Sequence, residues 1–431
     1  MSNQKKNILL ITYYWPPAGG PGVQRWLGFV RHLVDFGFFT HVYSPKNPSY
    51  PILDPSLLKE IPTEFKHIQT NIWEPFQLAE LFSNKSKELK KGNLSAKNNG
   101  FLDKLLIFIR GNFFIPDARV FWVKTSIKFL KKYILENNIE TIISTGPPHS
   151  LHLIGLQLKE YFPQINWVAD FRDPWTEISY HKHLKLTNWA EKKHKVLEKK
   201  VFETANTVIA TSYTDAENFK NKGAKNAVTI TNGFDVQENL VDETKTSNSK
   251  FTLSYVGGLE DLRNPTEFWK ILEELLTENK EIKDNLILKF VGNISPNIIH
   301  QIKTKHKLLY TCIQFVGYLP HKEAFQEMKK ANLLLLFSFL EKENKGIIPG
   351  KIYEYLATGK PIFATCCKDS DIEIIIKETK SGFFLNSDNE IEAKKFLIQS
   401  FNNWKNNIVV ESFNIQQFAR YNLTKQLIKH L

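Results

Sequence analysis

Short apolar runs rich in β-formers alternate with longer amphipathic stretches along almost the whole of this 431-residue chain. The first half offers residues 8–14, 41–44, 141–145, 167–171, 207–210 and 228–231 as strands. The second half offers 251–256, 286–291, 313–316, 333–337 and 361–365. Helical patterns such as 267–276 and 322–330 lie between them. A near-continuous apolar strand must be covered on both faces, so strands of this kind separated by helices read as parallel sheets in an α/β fold. The polar stretch 237–250 has no apolar period and reads as a linker between two doubly wound domains. The expected division is 1–240, 250–410 and a terminal helix in 411–431. Open sheets of this type bind ligands beyond the carboxyl ends of their strands, so the expectation is two facing Rossmann-like domains with an interdomain cleft.

Charge narrows the partners. Fifty-seven Lys and Arg against forty-five Asp and Glu give a net charge of +12, which favours nucleic acid, an anionic membrane surface or a phosphorylated ligand. Three cysteines, with Cys366 and Cys367 adjacent, cannot make a disulfide framework or a zinc ribbon, and a reduced, cytoplasmic setting is expected. The apolar run 333–340 is about half the length a bilayer span requires. Behind Lys5 and Lys6 the apolar run stops at Tyr13-Tyr14-Trp15-Pro16 without a small-residue cleavage site, so it reads as a first strand.

The stretch 84–135 departs from the alternating plan. Lys85, Lys87, Lys90, Lys91, Lys97, Lys104, Arg110, Arg119, Lys124, Lys128, Lys131 and Lys132 meet only Glu88, Asp103 and Asp117 between residues 85 and 132. Phe101, Leu105, Leu106, Phe108, Ile109, Phe113, Phe114, Phe121 and Trp122 are interleaved with them. Rings among cations on helices suit an interfacial anchor on anionic lipid, and equally a domain helix with a solvated lysine face. No nucleic-acid-binding motif is present, and no nucleic-acid partner is expected.

Four strand ends carry the chemistry. Pro16-Pro17-Ala18-Gly19-Gly20-Pro21-Gly22 lets backbone N–H groups approach an anion at the start of a helix, although it is neither a Walker loop nor Gly-x-Gly-x-x-Gly. Ser144-Thr145-Gly146-Pro147-Pro148-His149 sets an imidazole and hydroxyls after the strand at 141–145. Asp170-Phe171-Arg172-Asp173-Pro174-Trp175 crowds opposed charges into four residues, as a buried ion pair or a substrate site would. In the second half, Gly257-Gly258 precedes Arg263, a residue suited to gripping phosphate. Lys351 and Glu354 share one face at the start of a short helix that Gly359 and Pro361 end. A cation and a helix N-terminus for diphosphate, with a carboxylate for ribose, suit a nucleotide sugar.

Taken together these residues resemble the retaining glycosyltransferases of the GT-B fold, the family 4 group of bacterial surface-polysaccharide and lipopolysaccharide enzymes. The resemblance rests on the Pro-Pro-x-Gly-Gly loop, Ala210-Thr211-Ser212, Thr231-Asn232-Gly233-Phe234-Asp235, Phe315-Val316-Gly317-Tyr318-Leu319-Pro320, and Glu354-Tyr355-Leu356-Ala357-Thr358-Gly359-Lys360-Pro361. It implies a nucleotide-diphosphate sugar held mainly by the C-terminal domain, an acceptor on the N-terminal domain, and last helices that cross back from about Glu411. Glu354 would bind ribose. The family's other glutamate, eight positions earlier, is Gly346 here, and the arginine usual after the first C-terminal strand is Gly258. Arg263 and Lys351 are then the implied phosphate ligands, with Gly19, Gly20 and Gly22 closing over the diphosphate. His149 and Asp173 are the implied catalytic residues, and Arg172, Asn232, Gly258 and Ile352 further substrate contacts.

The implied reaction moves a sugar from its nucleotide to a glycan or lipid-linked acceptor with retention of configuration, in cell-envelope polysaccharide synthesis. Its protein would be cytoplasmic, on the inner face of the membrane. No metal and no cofactor beyond the nucleotide sugar as co-substrate are expected. A nucleotide-sugar 2-epimerase and a non-catalytic nucleotide-sugar-binding protein are the alternatives, and fold alone does not separate the three.

Overall fold

The computed structural model describes residues 5–74, 101–177, 184–235 and 249–431. The chain forms two units, Met1–Asn232 with Arg420–Leu431, and Gly233–Ala419. The first division thus falls at Asn232, and the chain returns at Arg420. The linker expected at 237–250 lies, as far as 248, outside the described residues, as do Lys85, Lys87, Glu88, Lys90, Lys91 and Lys97.

The first unit is built on seven parallel strands, β1 (Lys6–Ile11), β2 (Phe38–Pro45), β3 (Phe65–Thr70), β4 (Thr141–Gly146), β5 (Asn166–Phe171), β6 (Thr207–Ala210) and β7 (Ala227–Thr229), in the order β3-β2-β1-β4-β5-β6-β7. Successive side chains of a strand point to opposite faces. Accordingly Leu9, Ile11, Ile142 and Trp167 join Trp122, Leu130, Ile154 and Phe202 on one side. Ile8, Leu10, Ile143 and Val168 meet Val23, Leu27, Val30, Leu423 and Leu427 on the other. The helix Arg420–Leu427 thus completes the core of the first unit, against the helix Pro21–Leu33.

The second unit repeats the plan with six parallel strands, β8 (Phe251–Val256), β9 (Leu286–Val291), β10 (Ile313–Gly317), β11 (Leu333–Phe337), β12 (Ile362–Thr365) and β13 (Gly382–Leu385), in the order β10-β9-β8-β11-β12-β13. β11 is Leu-Leu-Leu-Leu-Phe, and every residue of it is buried, as a central parallel strand demands. In both sheets the strand order turns back beside the first strand, between β1 and β4 and between β8 and β11. The carboxyl ends at those two places are where an open α/β sheet leaves a crevice.

The structure divides the basic aromatic stretch. Within the helix Val120–Glu136, Trp122 is buried and stacks flat on Tyr43, centroids 4.9 Å apart, while Lys124, Lys128 and Lys132 face outward. That helix is a core element with a solvated lysine face. Leu105, Phe108 and Phe113 of the helix Phe101–Phe113 are exposed, Phe113 to 72%, and Phe121 meets the exposed Trp73 at 4.8 Å.

Candidate functional site

At the carboxyl ends of β1, β4 and β5 the first unit holds its charges in closed pairs. Asp170, fully buried, accepts from Arg25 Nη2 at 2.8 Å, Trp26 Nε1 at 2.8 Å and Thr145 Oγ1 at 2.7 Å. Desolvation pushes its carboxyl up, but Arg25 and these hydrogen bonds outweigh it and hold the group below the usual range. Arg25 also donates to the Thr231 carbonyl at 2.6 Å, tying the helix Pro21–Leu33 to the end of the sheet. Of the two readings of the Asp170–Asp173 cluster, Asp170 therefore takes the structural one.

Arg172 points elsewhere. Its backbone N–H donates to Gly146 O at 2.9 Å and its Nε to the same carbonyl at 3.2 Å, while Nη2 donates to Pro147 O. A Cβ on Gly22 would lie 1.4 Å from Arg172 Nη1. Glycine at that position thus admits the guanidinium against the start of the helix Pro21–Leu33. Gly20, the N-cap of this helix, has φ 109°, a backbone region that favours glycine. Gly19 packs on Asp54, 3.0 Å from its own would-be Cβ. Asp173 reaches the surface.

His149 is buried. Its ring stacks on Trp175 at 5.3 Å and 3°, and lies 5.7 Å from Phe171. Beside it, His152 Nδ1 shares a hydrogen with Ser144 Oγ at 2.9 Å, and burial lowers this imidazole to about 3, so it is neutral. A second closed group lies at the ends of β1 and β3. Glu74 accepts from Tyr13 OH at 2.8 Å and Ser49 N at 2.8 Å, and pairs with Arg119 Nε at 3.1 Å. Arg119 belongs to the basic stretch, yet its guanidinium lies 4.7 Å from the Tyr13 ring. Asp117 takes Ser150 N and Ser150 Oγ, each at 2.9 Å, at the start of the helix Ser150–Tyr161. No sequence periodicity links Glu74 to Tyr13; their pairing exists only in the fold.

The second unit is organised differently. Lys351, the first residue of the helix Lys351–Thr358, donates from Nζ to Tyr255 OH at 2.9 Å, with its ammonium 4.1 Å from the ring centroid. Tyr255 OH donates to the Gly258 carbonyl at 2.8 Å, and Arg263 Nη2 donates to the same oxygen at 3.2 Å. Gly257 has φ 118°, and a Cβ there would fall 2.8 Å from Lys351 Nζ, so glycine is required for Lys351 to lie where it does. Desolvation first, and the Arg263 charge second, lower Lys351 to about 7, with Glu354 pulling the other way. Tyr255 is pushed up to about 12 by burial. Among the described residues, no carboxylate lies within ion-pair distance of Arg263 or Lys351.

Glu354 does not pair with Lys351, as the helix spacing would allow. Its Oε1 lies 2.8 Å from His321 Nε2, at the start of the helix His321–Lys330. Ile352 is buried, and its backbone N–H donates to Pro349 O at 3.0 Å. Gly258 is exposed and Gly346 half-buried in the loop before Lys351. Asn232 marks the passage between units: its carbonyl accepts from Arg420 Nε at 3.3 Å within the first unit. In the second unit, Phe234 N donates to Phe418 O at 3.0 Å. Tyr255 and His321 were not singled out by sequence, although Tyr255 stands in the strand end that was. Among the described residues no group of three or more His, Cys, Asp or Glu side chains could hold a metal ion, and no helix is long and apolar enough to cross a membrane.

Residues 250–403 match the model of the family described as Glycosyl transferases group 1. No curated protein is a sequence match to the chain. Among solved structures, the chain is similar to sucrose-phosphate synthase from Thermosynechococcus elongatus, with 14% identity over 99% of this chain and 98% of that one and a TM-score of 0.57. It is also similar to the apo form of the lipopolysaccharide outer core galactosyltransferase WaaB, at 13% identity over 99% of both chains and a TM-score of 0.56. A third is a glycosyltransferase from Rickettsia africae, at 13% identity over 99% of this chain and 97% of that one, TM-score 0.58. At such identities the likeness speaks to fold. The chain has two Rossmann-like domains of the GT-B class, and its second unit carries a glycosyl transferases group 1 domain.

Proposed function

We propose that the protein is a glycosyltransferase that takes a sugar from a nucleotide-diphosphate donor, with retention of anomeric configuration. The observation that carries the reading is the pair of cations at the carboxyl end of β8. Arg263 and Lys351 converge on Tyr255 and Gly258, neutral groups both, within the segment that matches the transferase family. Two cations held close together without a counter-anion repel one another, and a diphosphate relieves that repulsion.

In the proposed reaction Arg263 and Lys351 stabilise the negative charge that grows on the diphosphate as the sugar–oxygen bond breaks. Glu354 accepts from the ribose hydroxyls. The acceptor hydroxyl attacks the anomeric carbon from the face the diphosphate leaves. Its proton passes to the leaving phosphate oxygen, so charge and atoms balance. Asp173, exposed at the end of β5, is the proposed contact for the acceptor, with Arg172 beside it. The buried, stacked His149 supports that loop or reaches substrate only after Trp175 moves. Gly346 leaves the sugar without the contact the family's first glutamate supplies, so donor selectivity falls to other groups of this loop.

The acceptor we propose is a lipid-linked or envelope glycan. The exposed Leu105, Phe108, Phe113, Phe121 and Trp73 would enter the headgroup boundary, and the outward lysines of the helix Val120–Glu136 would meet anionic lipid. Flotation with anionic vesicles at low salt tests this part: protein left at the bottom of the gradient removes the membrane.

The donor reading is tested by incubating the protein with UDP-, GDP- and dTDP-sugars and following anomeric NMR signals. Slow release of one free sugar with its configuration retained is expected from a transferase leaking to water. A new nucleotide sugar without release would mean an epimerase instead. Binding without any turnover, even with glycan and lipid-linked acceptors added, would leave a binding protein.

A further inference from the structure

Glu354 carries a partner that its own helix does not supply. The nearest cation on that helix, Lys351, three positions earlier, is committed to Tyr255. Glu354 Oε1 is met instead by His321 Nε2 at 2.8 Å, from a residue 33 positions away at the start of another helix. A carboxylate only accepts, so the imidazole donates through Nε2–H. The contact leaves Oε2 and part of Oε1 open: the Glu354 side chain is 31% exposed and that of His321 60%. A glutamate has three rotatable bonds and loses much of its side-chain freedom when fixed. A carboxylate already held by one hydrogen bond loses less on meeting a ligand.

We infer that His321 is a positioning residue that fixes Glu354 for the vicinal diol of a ribose, and so sets the preference of this site for ribonucleosides over nucleosides lacking those hydroxyls. The inference rests on the nucleotide-sugar reading of the second unit. His321 touches Glu354 and not the reacting atoms, so its effect falls on binding of the nucleoside and not on the bond-breaking step. Its removal raises KM for the donor and leaves kcat near its native value. Replacement by glutamine, whose amide N–H reaches to a similar distance, restores much of the loss.

The test titrates the full chain with UDP, GDP and ADP, each beside its 2′,3′-dideoxy counterpart. The native protein is expected to prefer the hydroxylated form of the nucleotide it binds by about tenfold or more, the range of a hydrogen bond to a charged group. In His321→Ala that preference falls several-fold towards the value in Glu354→Ala, and His321→Gln recovers it. Both positions are solvent-accessible, and thermal melts of the variants confirm that the fold is retained. Equal preference in native protein and His321→Ala overturns the role of His321 alone. Tighter binding in His321→Ala also overturns it, because the imidazole would then be covering Glu354 and not orienting it. Absence of binding to the native chain by all three nucleotides overturns the nucleotide reading, and the role of His321 with it.

Discussion

The two switch points share a topology and differ in how their charges are settled. At the end of β1 and β5, Asp170 is matched by Arg25, Trp26 and Thr145, and nearby Glu74 by Tyr13, Ser49 and Arg119. At the end of β8, Arg263 and Lys351 have a tyrosine hydroxyl and a carbonyl as their partners. A buried ion pair resists change because removing one member strands the other. Cations matched only by neutral groups keep unspent attraction for an anion. The same sheet end thus serves as scaffold in one unit and as a candidate anion site in the other.

The largest effect expected from this contrast is on stability. Asp170→Ala leaves Arg25 buried without its counter-charge and should destabilise the first unit by about 3–5 kcal/mol, read as a fall in its thermal or denaturant midpoint. A loss below about 1 kcal/mol would mean that water reaches Arg25 and that the pair is not closed.

In the second unit, Gly257→Ala sets a Cβ 2.8 Å from Lys351 Nζ at a φ of 118°. The positive φ costs a non-glycine residue about 1–3 kcal/mol, and the Lys351 ammonium must move off the new Cβ. Nucleotide affinity should fall by roughly five- to a hundredfold while the first unit melts unchanged. Unaltered affinity would separate Lys351 from the anion site.

The smallest effect concerns pH. Lys351 is lowered to about 7 by burial and by Arg263, with Glu354 opposing and Tyr255 as its hydrogen-bond partner. A diphosphate beside it favours the charged form, so binding a nucleotide sugar takes up a proton near neutral pH. Affinity should be steady below about pH 7 and fall by up to about tenfold per pH unit above it. In the free protein the sign for folding is opposite: the unfolded lysine stays protonated to a higher pH, so this group's contribution to stability grows as pH rises from about 7 towards about 10. Titrations in buffers of different ionisation heat measure the proton uptake directly, and none at pH 7.5 would show that Lys351 is already charged.

Much of the fold could be read from the chain because its central strands are apolar on both faces. The unbroken run of β11 and the six buried residues of β4 and of β8 are legible for that reason. β3 and β13 escaped. β3 reads Phe-Lys-His-Ile-Gln-Thr with little burial, as a sheet edge protected by polar side chains does, and β13 is four residues opening with a glycine. Residue types at strand ends were legible, and Arg263 and Lys351 reach Gly258 and Tyr255 at the end of β8, while Glu354 meets His321. Their partners were not. Arg25 meets Asp170 across 145 residues, Tyr255 meets Lys351 across 96 and His321 meets Glu354 across 33. Neither periodicity nor spacing encodes such pairings. The basic aromatic stretch misled in part because helical spacing does not say which face turns inward, and Trp122 and Arg119 both turned in.

The most direct test of the account is calorimetric titration of UDP, GDP, ADP and dTDP into the native chain and into Lys351→Ala. One nucleoside diphosphate should bind the native protein, and the variant should bind it about ten- to a hundredfold more weakly, the worth of a charge-assisted contact to phosphate. No binding by the native protein, or equal binding by both, would contradict the assignment of the β8 end as the donor site.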